Sequence, residues 1–499
     1  MTALVSFIGK GSYLECEYSY KGEKLKTHLF VEAAAKFFDP ERIIVFYTAE
    51  SKEAKRDSDS KTYIEQIKEK LKNKHIEEQE IKGGKSEEEL WEIFDKISSS
   101  LKEGESVVFD ITHAFRSIPL ICLLVIALLR ETKNIKLEAV VYGAFEAKDA
   151  ENRVPVFDLT PFIELFDWIT ATRQFKETGN AKLLTEVLQR HDEKKLKKVL
   201  EALSESLRML RSREAVRKSR ELLKNLDNPK NLERIKTKPA TQLLELIRES
   251  YKNLALENPE ENILDFIKTL LELADWYFDK GQYVQSIAII RELIPTIVCH
   301  RLLLNPFNRK EREEAEKYLN KRENEQEGEE KGYDWKITGL PEEMKNIWRD
   351  ISALRNDVLH AGFNENPIKS GKIIENLKNF IKKLKSITEN LVPAKIILLN
   401  TSILTGSGVY EYKQINIEEA RRIAHNYELE SAVGHEVTAE FLSKLLGVNI
   451  EAKRIEYHQK PGETALVFKL LKRLPEGKLP TKEELEKSEY EFGLLRKKG

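Results

Sequence analysis

Arg355 and His360 lie five positions apart in Ser352-Ala353-Leu354-Arg355-Asn356-Asp357-Val358-Leu359-His360-Ala361-Gly362. On a helix that spacing gives neighbouring faces, with Leu354, Val358 and Leu359 partly buried. A histidine titrating near neutrality can move a proton to or from a hydroxyl, and a guanidinium can offset charge building on phosphorus oxygens. The pair could therefore cleave RNA without a metal, because RNA carries its own 2'-hydroxyl nucleophile. The same residues also fit a surface arginine and a histidine near a helix end capped by Gly362. A second histidine, His435, stands in Gly434-His435-Glu436-Val437-Thr438-Ala439 between a glycine and the start of a predicted helix. Arg454 follows a predicted strand boundary, and Arg473 and Glu476 lie in Arg473-Leu474-Pro475-Glu476-Gly477-Lys478 after another. One histidine, two arginines and one glutamate suffice for a phosphodiester that supplies its own nucleophile, although a lone histidine at a helix N-terminus is usually a capping or packing residue. A third cluster is Gly9-Lys10-Gly11-Ser12-Tyr13. Its glycines let the backbone approach a phosphate, and Lys10 and Arg116 add positive charge; a Gly-x-Gly loop is also simply a tight turn. The nine histidines include no His-Glu-x-x-His, and Cys16, Cys122 and Cys299 lie far apart, so no metal or other cofactor is expected.

Elements must hold these residues in place. Residues 4–8, 43–47, 107–111 and 137–142 are short, apolar and strand-like. Between the second and third, Leu90, Ile93, Phe94, Ile97 and Leu101 form a helical apolar stripe. Near-continuous apolar strands alternating with helices predict a mainly parallel, Rossmann-like α/β sheet over residues 1–160. Ligands bind such a sheet outside the carboxyl ends of its strands. That rule brings forward Gly9, Lys10, Gly11 and Ser12 after the first strand and Thr48 after the second. It also selects Thr112, His113 and Arg116 after the third. Residues 161–392 lose the strand signal and carry helical patterns such as Leu196, Val199, Leu200, Leu203, Leu207 and Leu210. Residues 309–331 read as a helix end running into a solvated, mixed-charge loop. Residues 394–499 combine strands at 396–399 and 465–470 with helices at 418–425 and 439–446. The expected fold class is multidomain: α/β, then all-α, then a compact α+β domain.

Composition bounds the reading. A chain of 499 residues, 41% hydrophobic, can bury several cores, which excludes global disorder and a lone small module. Lys plus Arg at 83 against Asp plus Glu at 84 gives a net charge of -1, which argues against a wholesale polyanion binder and leaves room for a local basic groove. One basic helix face, Arg208, Arg211, Arg213, Arg217, Lys218 and Arg220, fits RNA steering or plain solvated surface and is not placed in the site. The longest apolar run, residues 118–129, contains Pro119 and stops at Arg130, short of the roughly 20 residues a membrane span needs. With no secretory signal read and the cysteines dispersed, a soluble cytoplasmic protein without membrane contact is expected.

Three sets of residues carry family resemblances. Ser6-Phe7-Ile8-Gly9-Lys10-Gly11-Ser12-Tyr13 with Asp110-Ile111-Thr112-His113-Ala114-Phe115-Arg116-Ser117-Ile118-Pro119 resembles the CRISPR-associated Rossmann fold (CARF) domain of type III CRISPR accessory proteins. It implies a sensor for a cyclic oligoadenylate bound across a two-fold axis, hence a homodimer or higher homo-oligomer. The form Arg355-Asn356-x-x-x-His360 resembles the signature of HEPN ribonucleases, and Tyr283-Val284-Gln285-Ser286-Ile287 with Arg291-Glu292 is similar to helical segments of CARF-HEPN effectors. That resemblance implies a composite site built from two protomers and acting on single-stranded RNA, with Arg355 and His360 catalytic and Asn356 orienting the motif. Leu399-Asn400-Thr401-Ser402-Ile403-Leu404-Thr405, Ser431 to Ala439 and Arg473 to Lys478 together resemble the viral anti-CRISPR ring nuclease family. The resemblance implies His435 as general acid to the leaving 5'-oxygen, Arg473 and Glu476 positioning the scissile unit, Arg454 on phosphate, and Asn400 and Ser402 lining the ligand cavity. Cyclic tetra-adenylate is then both activator and substrate. Two alternatives stand beside this: a non-enzymatic regulator whose helical region docks DNA or protein, and a tail that sequesters the messenger without cleaving it.

Overall fold

A computed structural model describes residues 2–114, 117–231, 238–320, 335–363, 365–391, 395–401, 404–471 and 481–498. The chain divides into two compact units, Met1–Ile169 and Thr170–Gly499. The first is built on eight strands: β1 Thr2–Ile8, β2 Cys16–Tyr20, β3 Glu23–Thr27, β4 Arg42–Thr48, β5 His75–Ile81, β6 Ser106–Asp110, β7 Lys136–Gly143 and β8 Arg153–Asp158. Their order in the sheet is β3-β2-β8-β7-β6-β1-β4-β5. The run from β7 to β5 is parallel, and β8 is antiparallel to β7. Alternate residues of β1 and β4 feed two cores. Leu4, Ile8, Ile43 and Val45 pack with the helices Phe30–Phe38 and Tyr63–Lys70, while Val5, Phe7, Ile44 and Phe46 pack with Glu87–Ser100 and Ile118–Thr132. Burial on both faces is why these strands read as continuous apolar runs. At the amino edge, buried Arg42 binds Glu77 of the neighbouring β5 at 3.0 Å and Glu105, just before β6, at 2.7 Å, tying the starts of these strands together.

The second unit opens with helices. Ile263–Asp279 and Tyr283–Arg301 form a hairpin whose connection contains Gly281 at a φ of 69°. Glu343–Leu359 packs on the second of these helices, where the Arg291 guanidinium lies 3.7 Å from the centre of the Trp348 ring. The mixed-charge stretch begins as the helix Arg309–Asn320, and its remainder, 321–331, falls outside the described residues. Five strands follow: β9 Lys395–Leu399, β10 Tyr410–Ile415, β11 Glu428–Ser431, β12 Thr464–Leu470 and β13 Tyr490–Lys497, in the order β10-β13-β12-β9-β11. β11, β9 and β12 are mutually parallel, and β13 runs against β12 and β10. This small α+β layer seats on the helices. Leu303 enters its core, the Tyr427 ring stacks on His300 at 5.0 Å, and Tyr427 Oη donates to the His300 carbonyl at 2.7 Å. Asn426 also accepts a hydrogen bond from the Ile263 amide.

Candidate functional site

At the carboxyl edge of the first sheet, β6, β1 and β4 end side by side. Asp110 closes β6 with its carboxyl wholly buried, accepting from Ser6 Oγ at 2.5 Å and from the Thr112 amide at 2.8 Å. Burial holds that carboxyl up at about 6, against the pull of both hydrogen bonds. Thr112 Oγ1 accepts from the Gly143 amide at 2.9 Å. Gly143 must be glycine: a Cβ there would meet Phe30 at 2.7 Å and Tyr18 at 2.9 Å. The loop after β1 is fastened by aromatic rings. Tyr13 lies between His113, at 3.8 Å and 11°, and Tyr63, at 4.2 Å and 10°. The Gly9 amide donates to Tyr13 Oη at 2.8 Å, the Tyr13 amide donates to Tyr63 Oη at 3.0 Å, and Tyr63 Oη donates to the Gly11 carbonyl at 3.2 Å. The loop is therefore preorganised, with Lys10, Gly11 and Ser12 exposed along its rim.

In the second unit, the helix Glu343–Leu359 ends with His360 at its C-cap, followed by Ala361 and Gly362, both left-handed. Gly362 is thus two residues past the cap, and it donates to the Asp357 carbonyl at 3.0 Å. Arg355, Asn356 and His360 are all exposed, and Arg355 Nη1 donates to Asn356 Oδ1 at 3.2 Å. Leu354 is buried and Val358 half-buried, but Leu359 is 55% exposed, more open than its helical position predicts.

The small sheet gathers the third set. Parallel β9, β11 and β12 bring Asn400, the 432–435 loop and Leu471 to one edge. The Ala432 amide donates to the Leu398 carbonyl at 2.9 Å, which fixes the loop beside β9. His435 is the N-cap of the helix Glu436–Leu446, half-buried, with no side-chain capping bond. Its ring therefore stands at a helix N-terminus, where an anion is favoured. Arg454 crosses Gly434, Nε donating to that carbonyl at 3.4 Å, and a Cβ on Gly434 would lie 3.1 Å from the Arg454 side chain. A cavity of about 260 Å³ opens beside the ends of β9 and β11, lined by Leu398, Ser431, Asn449, Glu451 and Lys453 among others.

Comparison with known proteins matches each end of the chain. Residues 3–146 match the model of the CRISPR system endoribonuclease Csx1, CARF domain, and residues 396–492 match the STIV B116-like model. Residues 164–259 match the second domain of CRISPR-associated protein MJ1674. Its first 146 residues are thus similar to a CARF domain, and its last hundred are similar to STIV B116. MJ1674 itself, from Methanocaldococcus jannaschii, is 30% identical over 222 residues, 44% of this chain but only a third of that relative's length. The uncharacterized protein YddF of Bacillus subtilis is 37% identical over 103 residues, 20% of this chain and 95% of YddF. Uncharacterized protein 26 of a Sulfolobus islandicus filamentous virus is 38% identical over 103 residues, 20% of this chain and 87% of its own length. Among solved structures, Enterococcus italicus Csm6 bound to cyclic hexa-2'-fluoro-hexa-dAMP aligns over 78% of this chain and 94% of its own, at 12% identity and a TM-score of 0.40.

Within the CARF domain the expected ligand residues divide. Lys10, Gly11 and Ser12 face out and Gly9 is half-buried, with Lys10 ion-paired to Glu50, which Lys85 also binds at 3.0 Å. Thr48 is buried and committed to capping the short helix Ala49–Lys52. His113 is stacked inward, and burial lowers its imidazole to about 4, so it stands there neutral. Arg116 lies outside the described residues. In the B116-like domain, Asn400, His435 and Arg454 reach one edge, while Ser402, Arg473 and Glu476 lie outside the described residues. Sequence reasoning passed over Tyr63, which sits on a helix fifty residues after Tyr13 and gave no motif signal. It also passed over Asp110 as a buried anchor, although an acidic residue closing an apolar strand was a usable cue. Among the described residues there is no cluster of three His, Cys, Asp or Glu able to hold a metal ion, and no helix long and apolar enough to cross a membrane.

Proposed function

We propose that the chain is a cyclic tetra-adenylate-activated, metal-independent RNA endonuclease of type III CRISPR defence, whose final domain degrades the activator. In this reading residues 1–160 sense the ring, 161–392 form a HEPN ribonuclease and 394–499 form a ring nuclease. The observation that carries it is the joining, in one chain, of a Csx1-type CARF match and a STIV B116-like match around a helical body that presents Arg355, Asn356 and His360 at its surface. Exposed on one protomer, those three side chains need a second surface to enclose a scissile phosphate, which is what a two-fold pairing of the same motif supplies. A stripe of exposed leucines on the helix Ile118–Thr132, Leu120, Leu124 and Leu128, is further apolar surface that suits a homodimer. In RNA cleavage His360 would transfer protons at the 2'-hydroxyl and the 5'-leaving oxygen while Arg355 offsets the phosphorane charge. In ring opening His435 would protonate the leaving 5'-oxygen of a phosphate drawn to the helix N-terminus and Arg454.

The test mixes the purified chain with labelled single-stranded RNA and labelled cyclic tetra-adenylate in excess EDTA, with cyclic hexa-adenylate in a parallel reaction. RNA should be cut only when the tetra-adenylate ring is present, and both products should carry 2',3'-cyclic phosphate or its opened form with 5'-hydroxyl ends. Ring binding with neither RNA nor ring cleaved would make the protein a non-enzymatic regulator. Cut RNA with the ring left intact would reduce the tail to a sequestering module.

A further inference from the structure

The helical body holds a groove that the proposed chemistry leaves unused. It encloses about 890 Å³ between the helices Ser212–Leu226, Ile263–Asp279 and Tyr283–Arg301 and the start of Arg309–Asn320. Arg211, Arg213, Arg217, Lys218 and Arg312 line it, together with the half-buried ring of Phe307. Glu214, Glu221 and Glu292 also line it, so cations outnumber carboxylates. The Arg213 guanidinium lies 4.7 Å over the Phe307 ring. Glu260 holds both Arg213, at 3.2 Å, and Arg217; Glu292 holds Arg312 at 2.6 Å; Glu221 holds Lys218 at 2.7 Å. Arg211 makes no ion pair among the described residues.

We propose that this groove binds single-stranded RNA, holding phosphates on its arginines and a base at the Arg213–Phe307 platform while the Arg355 and His360 motif cuts the same strand. The proposal rests on the ribonuclease reading for its purpose and on the groove for its chemistry. Cations one helical turn apart, at Arg213 and Arg217, match a backbone that crosses them, and an aromatic face accepts any base. The groove is open along one side, which suits a polymer better than a small ligand that must be enclosed. Exposed ion pairs such as those to Glu260 are weak, so a phosphate can replace the carboxylate. The position also fits. Arg291 meets Trp348, and Arg301 Nε donates to the carbonyl of Thr338 in the short turn preceding Glu343–Leu359, so that helix starts near the C-terminal end of Tyr283–Arg301 and runs back along it. Continuing that register sets Arg355 beside Val284, and Thr296 of the groove lies about 18 Å farther along the helix at 1.5 Å per residue. A strand of a few nucleotides bridges that distance.

The experiment measures binding of a fluorescent 2'-O-methyl RNA, which lacks the nucleophile, to the full chain. Arg211→Glu with Arg217→Glu should weaken binding about 10-fold or more and lower the salt slope by about 0.7 for each lost contact. Glu260→Gln, which frees Arg213 and Arg217, should tighten binding severalfold. A merely structural ion pair would make both variants worse, so weakened binding in Glu260→Gln overturns the proposal. So does unchanged affinity in the double variant, or displacement of the RNA by an equal concentration of an acidic peptide. In cleavage assays the double variant should raise KM and leave kcat near wild type. If no RNA is cut under any condition but the two binding shifts appear, the groove stands and the ribonuclease reading fails; if RNA is cut and the shifts are missing, the reverse holds.

Discussion

Arg355 and His360 sit at the open end of one helix, where neither is buried and Asn356 Oδ1 accepts from the guanidinium. A surface pair gains catalytic power when a second wall excludes water and fixes the phosphate, so each side chain should matter far more in the proposed dimer than its exposure suggests. Arg355→Ala or His360→Ala should lower RNA cleavage by on the order of 100-fold or more while ring opening continues, read by gel assays of the two labelled substrates. Equal cutting by both variants would remove the motif from the mechanism. Other histidines report on the fold. Burial lowers His113 and His300 to about 4, with Arg301 and Arg422 adding to the effect at His300. Between pH 6.5 and 4 the unfolded chain takes up protons that the native rings refuse. Their contribution is therefore present above pH 6.5 and is lost as pH falls toward 4. Asp110 acts in the opposite sense, because its carboxyl is raised to about 6 and the native state keeps a proton the unfolded chain has released. Its contribution is present below pH 3.8 and lost as pH rises through 6. Neither ring nitrogen of His300 has a hydrogen-bond partner among the described residues, so His300→Phe keeps the stack on Tyr427 and deletes the titration. Melting curves should show that variant gaining more over wild type at pH 5 than at pH 7.5, by about 2 kcal/mol. Parallel pH profiles would mean the ring is protonated in the native state.

At the scale of elements, parallel strands do the positioning in both sheets. Residues 4–8, 43–47, 107–111 and 137–142 were legible as β1, β4, β6 and β7 because each is buried on two faces and needs no polar alternation. β5 was not, since His75-Ile76-Glu77-Glu78-Gln79-Glu80-Ile81 is a charged edge strand whose carboxylates meet Arg42 and solvent. β10 and β13 escaped for a related reason: Tyr410 to Ile415 is mostly exposed, and Gly493 interrupts the apolar pattern where the Tyr412 ring covers it. The spacing of Arg355 and His360 was readable, but the Gly434 contact with Arg454 was not, because only the fold brings residues twenty apart together. Nor did the short join near Pro393 reveal that the small sheet shares a core with the helices. Because Tyr427 is buried against His300 and Leu303 packs among the residues of that sheet, the B116-like domain is packed into the helical body rather than tethered to it. Tyr427→Ala should destabilise the second unit by about 3 kcal/mol in urea unfolding, and Tyr427→Phe by about 1 kcal/mol for the lost bond to the His300 carbonyl. Two separate transitions, with only the tail affected, would contradict a shared core.

For the whole molecule, the proposal makes one ligand serve two ends of the chain. Binding at the CARF domain can favour an active ribonuclease only by as much as the ring prefers that state, so activation lasts while free ring exceeds the sensor's Kd. In that proposal, ring opening at His435 would drain that pool. The two processes have different dependences: the initial RNA-cutting rate reflects occupancy of the sensor, and its duration reflects the rate of ring loss. His435→Ala would remove the proposed proton donor, worth on the order of 100-fold or more in the ring-opening step, while His435 is half-buried at a helix N-cap without a capping bond, so the fold should tolerate its loss. The variant should start cutting RNA at nearly the wild-type rate and continue much longer after a sub-stoichiometric dose of cyclic tetra-adenylate. Adding a second dose to exhausted wild type should restore its cutting, which separates loss of activator from loss of enzyme. Indistinguishable time courses, with intact ring recovered from both proteins, would show that the final domain sets no limit on the response.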